Sequence, residues 1–470
     1  MRATGEALAN LTRAVEKIEV AGLGLHINVG AELFPKLSED RKQAAAFYTQ
    51  AATAELLATL TIRRSDLSAE QWADRSLFAA RSLADMACGA GTLLRAGYRR
   101  IQAIHESSGG TVETVGELDR RAMETGLVGA DVSPIAAHLT SASLAAIGQG
   151  ESYGDTPIVG GANDATGSLE YFEARALRDL FHNVAGRSAG SGEQNEFSVD
   201  IPDDSVDWIL MNPPYSRTRG GQSAFDIAGL LERERKACQR RWGRLIRNQP
   251  ANARAGIGAS FLALARKKVR PGGRIGFVLP LTATFADSWA ATRCMIERDF
   301  TGIAAVAVAA GQALGRDALS ADTGMEEMML IATRRTGPAR TNERSPVHCV
   351  TLAAPATRSG EAGEIARAIA GALNRVGGVG ASRPVVVGDT EIGQVCVFDP
   401  GGEGAPWGAV GRHARWACRC RGQSGARPAG FPRHIRRIAD RHDNAGRDVP
   451  RRPDARFDRP LARRRRQGRV

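Results

Sequence analysis

Asn212-Pro213-Pro214-Tyr215 is the segment whose residue types point most directly to chemistry. It follows the apolar run Val206–Met211, where the carboxyl end of a buried strand is expected. Two prolines stiffen the backbone and remove N–H donors, leaving carbonyl oxygens as acceptors. The Asn212 carboxamide adds a further acceptor, and Tyr215 adds a flat face for stacking. Together they form a receptor for a planar group bearing an NH2. Hydrogen bonds to both N–H groups pull such a nitrogen toward tetrahedral geometry and aim its lone pair at an electrophile. The bland alternative is a Pro-Pro turn after a buried strand.

Two segments upstream could hold the electrophile. In Asp85-Met86-Ala87-Cys88-Gly89-Ala90-Gly91 a short strand ends at Asp85, and two glycines flank one small residue before a helix. Glycines there let a backbone turn sharply and approach a ligand, and the helix N-terminus favours polar or anionic groups. Such a turn can equally do no more than close a tight connection. In Gly129-Ala130-Asp131-Val132-Ser133-Pro134 an acid ends the next strand. It could accept hydrogen bonds from both hydroxyls of a ribose, or it and Ser133 could cap the helix that Pro134 opens. After a glycine turn the ribose role is the better reading. None of the eight histidines sits in a motif, and no metal is expected.

The elements that must position these residues alternate. Strands are expected at Ser82–Met86, Leu127–Asp131, Ser205–Met211 and Arg274–Pro280, with two more at Phe300–Ala309 and Glu327–Thr333. Helices are expected after Gly91, with Leu94, Tyr98 and Ile101 on one face, and at Pro134–Ile147 and Ser260–Val269. Pro271-Gly272-Gly273 reads as a turn. The pattern implies an α/β fold with a mostly parallel, Rossmann-like sheet. Residues 1–80 read as an N-terminal helical region, with helices at Ala7–Ile18 and Ala51–Leu60 and a loop at Lys36–Gln50. Residues 81–335 form the catalytic domain, with excursions at Gly160–Gln194, holding a helix near Leu169–Phe181, and at Arg217–Asn252. Residues 336–410, with a helix around Glu361–Leu373 and a strand at Pro384–Val387, read as peripheral or as the start of a recognition region.

The net charge of +12 is misleading until it is located. Residues 411–470 carry 19 arginines, five aspartates and no lysine or glutamate, a balance of +14; residues 1–410 are at −2. The body's charge therefore says nothing about partners. The tail is expected to be disordered and has two readings: a basic arm for nucleic acid, or a product of out-of-frame reading of a GC-rich gene. His413, Cys418, Cys420 and His434 in it match no standard zinc spacing. Seven scattered cysteines are no disulfide framework and suit a reducing compartment. With no export signal pattern and no apolar run approaching about 20 residues, the expected location is cytoplasmic, with no membrane partner.

Taken together, the three motifs resemble those of the amino-group DNA methyltransferases of N6-adenine type, in the gamma-class order found in type I modification subunits and fused type II enzymes. Arg41-Lys42 followed by Phe47-Tyr48-Thr49 resembles their N-terminal cofactor motif, so the likeness spans roughly residues 35–335. It implies a methyltransferase fold and S-adenosyl-L-methionine as cofactor. Asp85, Cys88, Gly89 and Gly91 would line the cofactor pocket, Tyr48 and Thr49 would lie near its methionine moiety, and Asp131 would hold the ribose. Asp164 is the candidate for the cofactor's adenine. Asn212, Pro213, Pro214 and Tyr215 would receive a flipped adenine of double-stranded DNA. Ala45, Gln50, Met86 and Ala90 depart from the usual residues without removing a needed functional group. The resemblance further implies a specificity or restriction subunit as partner, because a recognition domain is thin here; a truncated member is the expectation. Protein-glutamine or ribosomal-RNA amine methylation, N4-cytosine methylation (where a serine more usually replaces Asn212) and a non-catalytic remnant remain as rivals.

Overall fold

The computed structural model describes residues 48–131, 134–145, 147, 158–160, 201–215, 255–308, 319–321, 325–337, 343–402 and 404–407. The helices expected at Ala7–Ile18 and Leu169–Phe181, the excursion at Arg217–Asn252 and the arginine-rich tail lie outside them.

Among the described residues ten strands form one sheet. From one edge to the other they are β4 (Ile158–Gly160), β3 (Leu127–Asp131), β2 (Leu83–Asp85), β5 (Val206–Met211), β6 (Val269–Pro280), β9 (Glu327–Arg334), β7 (Phe300–Val308), β10 (Val347–Leu352), β12 (Thr390–Phe398) and β11 (Ser382–Val387). A separate two-stranded piece pairs β1 (Tyr48–Thr49) antiparallel with β8 (Ser320–Ala321). From β4 to β6 every pairing is parallel. The order there is that of a doubly wound sheet, with β2 central and the chain running outward both ways. Beyond β6 the sheet departs from the mostly parallel expectation. β9 is inserted antiparallel to both β6 and β7, and β12 is antiparallel to its neighbours β10 and β11. The apolar pattern of a strand reports burial on its faces and carries no sign of its direction.

All six residues of β5 are buried, as the continuous apolar run requires, and its one acid has a local explanation. Asp207 is 1% exposed and accepts hydrogen bonds from Arg81, Arg270 and the Ser82 amide. These neutralise it at the amino end of the strand, far from where Asn212 emerges. The Pro271-Gly272-Gly273 turn lies within β6 and does not precede it. Pairing with β5 jumps from Val206↔Val269 to Trp208↔Arg274, so the turn lies in a bulge of four residues, Arg270–Gly273, against Asp207 alone, with Gly272 at φ 78°.

Helices cover the sheet. α1 (Ala51–Thr61), which the alanine- and leucine-rich run predicted, lies close against β6: a Cβ on Gly276 would come within 2.2 Å of Thr61 Oγ1. Arg274 reaches from β6 to the α1 C-terminus, donating to Thr61 O at 2.6 Å and Leu60 O at 3.4 Å. A cation on the last carbonyls satisfies groups that the helix itself leaves open. The short α2 (Ala69–Ala73) and α3 (Leu77–Ala80) lead into β2. α4 (Thr92–Ser107) buries Leu94, Tyr98 and Ile101, and α5 (Val112–Arg121) follows it. α6 (Pro134–Ala145) joins β3 to β4, α7 (Ile257–Lys268) precedes β6, and α8 (Ala290–Asp299) precedes β7.

The segment 336–410, expected to be peripheral, contributes β10, α9 (Ser359–Arg375), β11 and β12 and continues the same sheet. Val350, Val385 and Val395 are fully buried. Trp407 is 1% exposed, its indole donating to Glu297 Oε1 at 2.6 Å and its amide to Thr284 O at 2.8 Å. Among the described residues no helix is long and apolar enough to cross a membrane.

Candidate active site

The glycine turn leaves β2 at its carboxyl end and is tied down at each step. Asp85 Oδ1 accepts the Ala87 amide at 3.0 Å, the Cys88 amide donates to Ala130 O of β3 at 2.9 Å, and the Gly89 amide donates to Asp131 Oδ2 at 3.0 Å. Gly89 and Gly91 have φ of 54° and 79°, left-handed values that L side chains rarely adopt, so both expected glycines meet a backbone need. Thr140 of α6 closes the turn from behind. Its hydroxyl donates to Gly89 O at 2.7 Å, and a Cβ on Gly91 would lie 3.0 Å from its methyl. Thr140 carries no signal in the sequence; only the packing of α6 brings it here.

Two carboxylates therefore stand at the ends of neighbouring strands. Asp85 is 1% exposed, and burial, with the charge of Asp131 as a lesser contribution, pushes its pKa up to about 8 against the pull of the Ala87 amide. Asp131 is half-buried and spends one oxygen on the Gly89 amide. The Cys88 thiol is buried, and burial, Asp131 and Asp85 raise its pKa well above the ordinary value. It is a packing group and no nucleophile. Asp85 and Asp131 are the acidic groups at this turn with which a ligand bearing positive charge could pair. A cofactor with sulfonium and ammonium groups fits that donor set.

The second half of the site leaves the carboxyl end of β5, the parallel neighbour of β2, with Leu83 opposite Trp208 and Ala84 opposite Ile209. The two loops thus emerge side by side at a topological switch point, where open α/β sheets bind ligands. Asn212 Nδ2 donates to Thr49 Oγ1 at 3.0 Å and to Ser320 Oγ at 2.9 Å, so both amide hydrogens are committed. Its Oδ1 accepts the Tyr215 hydroxyl at 2.9 Å. Pro213 is buried and Pro214 half-buried. Tyr215, expected to offer an open face, is 9% exposed with its hydroxyl turned onto Asn212. Its pKa is raised well above the usual phenol value by burial first and by Glu327 next.

Several placements extend or differ from the sequence reading. Thr49, expected beside the cofactor's methionine, has its hydroxyl on Asn212, and the strand it shares with Tyr48 pairs with β8, Thr49 opposite Ser320. Ser320 and Glu327 were not anticipated. Glu327 Oε2 accepts the Ser320 amide at 2.8 Å, which links the receptor to β9. A signal existed for Glu327, an acid directly before the apolar run Met328–Ala332; Ser320 has none. Asp164, Arg41, Lys42, Phe47 and the Arg217–Asn252 excursion lie outside the described residues.

No model of a known protein family matches the chain, and no curated protein matches it in sequence. Solved structures do. A modification subunit attributed to a type I restriction enzyme of Vibrio vulnificus YJ016 is 18% identical over 70% of this chain and 52% of its own, with a TM-score of 0.38. The type IIG restriction endonuclease BpuSI is 14% identical over 78% and 33%, with a TM-score of 0.44. The EcoKI M protein of a type I enzyme is 13% identical over 64% and 52%, with a TM-score of 0.36. The chain spans about half the length of the first and about a third of the second. Solved structures that this α/β chain resembles include type I modification subunits and a type IIG enzyme.

Proposed function

We propose that the chain is an S-adenosyl-L-methionine-dependent methyltransferase that modifies N6 of adenine in double-stranded DNA, within a restriction–modification system. One observation carries the reading. Asn212 has both Nδ2 hydrogens committed to Thr49 and Ser320, so its Oδ1 is the group it offers a ligand, next to a glycine turn flanked by two carboxylates. An acceptor at a rigid Pro-Pro corner suits an exocyclic amine, and the acidic turn suits a cationic methyl donor.

In this reading the cofactor, when bound, supplies an electrophilic methyl group. Asp85 and Asp131 hold its cationic and hydroxylated parts, and Gly89 and Gly91 let the backbone approach it. Asn212 Oδ1 and the Pro213 carbonyl accept the two N–H groups of the amine and direct its lone pair. Because N6 lies inside the duplex, the adenine is flipped out to reach the receptor. The Tyr215 hydroxyl must leave Asn212 Oδ1 as the amine arrives, which lets the ring turn toward the base. Rate enhancement comes from alignment of nucleophile and methyl group together with preorganised dipoles, with no strong base needed. Asp164 and Tyr48 keep their proposed places at the cofactor, and a specificity or restriction subunit is the proposed source of sequence recognition.

The test is methyl transfer from labelled S-adenosyl-L-methionine into unmethylated genomic DNA, followed by nucleoside analysis, with wild type and Asn212→Ala side by side. Label in N6-methyladenine that disappears in the variant is the expected result. Cofactor binding without label in DNA, alone or with a specificity subunit, would refute the substrate assignment.

A further inference from the structure

The glycine turn can face a ligand in two ways, and one peptide decides which. The Gly91 amide closes a tight turn onto Cys88 O at 2.8 Å, which leaves Gly89–Ala90 as its central peptide. Gly89 has φ 54° and Ala90 a negative φ, the pattern of a II′ turn. The I′ form has that one peptide turned over and needs a positive φ at the second position, which alanine tolerates poorly. Thr140 holds the observed form from α6. Its side chain is fully buried, and its single hydroxyl hydrogen goes to Gly89 O at 2.7 Å, a nearer and stronger acceptor than the Cys88 sulfur at 3.6 Å. Ala90 packs on Ala136 and Leu139 of the same helix. In a trans peptide the N–H points opposite to the C=O, so the Ala90 N–H is turned away from α6. β3, which leads into α6, and β5, which ends at the Asn212 corner, flank β2 on opposite sides. The side away from α6 is therefore the side of the receptor corner.

We infer that Thr140 is a positioning residue which, through the Gly89 carbonyl, presents the Ala90 N–H to a hydrogen-bond acceptor of the cofactor. The inference rests on the reading of this turn as the cofactor site. Thr140 lies behind the turn and acts only through it. α6 comes so close that a Cβ on Gly91 would lie 3.0 Å from the Thr140 methyl, which keeps the turn against the hydroxyl that orients it. Removing the hydroxyl with the shape kept would strand the Gly89 carbonyl in a buried place and make the turned-over peptide competitive. That form puts a carbonyl where the ligand meets an N–H.

The experiment uses the full chain with Thr140→Val, which keeps the shape and removes the hydroxyl, and Thr140→Ser, which keeps the hydroxyl. Thr140→Ala gives the same comparison where Thr140→Val does not fold. In ligand-free protein, carbon-13 in glycine carbonyls and nitrogen-15 in alanine select Gly–Ala peptides, and the Gly89–Ala90 signal is identified by its loss in Ala90→Ser. That signal is expected to move in Thr140→Val and to keep its wild-type position in Thr140→Ser. A signal unmoved in both, or moved equally in both, overturns the proposal. In calorimetry with S-adenosyl-L-methionine, Thr140→Val raises Kd about tenfold and Thr140→Ser stays within about twofold of wild type. In the methylation assay the loss appears in KM for the cofactor, with kcat and KM for DNA within about twofold. Equal cofactor affinity in wild type and Thr140→Val overturns the proposal, as does a loss shared equally by both variants. Wild type that gives the labelled signature but binds no S-adenosyl-L-methionine would sink the cofactor reading above while leaving the orientation of the turn assigned to Thr140.

Discussion

Asp85 is where stability and binding should oppose each other most clearly. Its carboxyl is held near pKa 8 in the folded chain, against about 3.9 in an unfolded one, so between those values the native state binds more protons. Stability must then fall as pH rises from about 4 through 8 and level off above it. The shift corresponds to about 4 kcal/mol at pH 7, an amount comparable with the whole stability of many domains. Asp85→Asn keeps an oxygen for the Ala87 amide, which now lies at 3.0 Å, and cannot ionise. The variant should gain up to about 4 kcal/mol at pH 7 in urea denaturation, match wild type near pH 4, and lose the falling slope between. Under the proposed function it should also lose the rise in melting temperature expected of wild type with S-adenosyl-L-methionine. Wild type itself should release close to one proton on binding at pH 6.5, read by calorimetry in two buffers of different ionisation enthalpy. An Asp85→Asn variant no more stable than wild type at pH 7, or one that keeps the slope, would refute the reasoning.

Other outcomes follow from packing. Gly276→Ala places a methyl 2.2 Å from Thr61 Oγ1 and should cost about 1–3 kcal/mol by forcing α1 off β6, measured by thermal melting. Gly91→Ala meets Thr140 at 3.0 Å and a φ of 79°, so it should weaken cofactor binding, read by calorimetry, beyond its modest effect on melting. Cys88→Ala should retain methyl transfer within about threefold, and native protein should resist alkylation at Cys88, because the thiol is buried with a raised pKa; rapid modification of Cys88 would contradict that environment.

Much of the fold and part of the site were legible because they depend on neighbours in sequence. The five residues of β3 match the expected Leu127–Asp131, and β5 differs from expectation by one residue, since an unbroken apolar run bounded by polar residues has few other solutions. The two positive-φ glycines and the Pro-Pro corner were visible for the same reason: they are demands of the local backbone. Strand direction beyond β6 was not, nor was the way 336–410 joins the sheet through β10, because pairing with β7 involves residues more than forty positions away. Pro271-Gly272-Gly273 was recognisable as a turn, but only the partner strand β5 makes it a bulge within β6.

The same division runs through the site. Residue types and spacing determined that an acceptor-rich corner and an acidic glycine turn exist and that each follows a strand. Which atom of Asn212 meets which neighbour could not be read there. Thr49 lies 163 positions before it and Ser320 lies 108 after it, and Glu327 enters through Ser320. A hydrogen bond's direction depends on which partners remain for every group in the chain of bonds, and those partners meet only when β1, β5, β8 and β9 are brought to one end of the sheet.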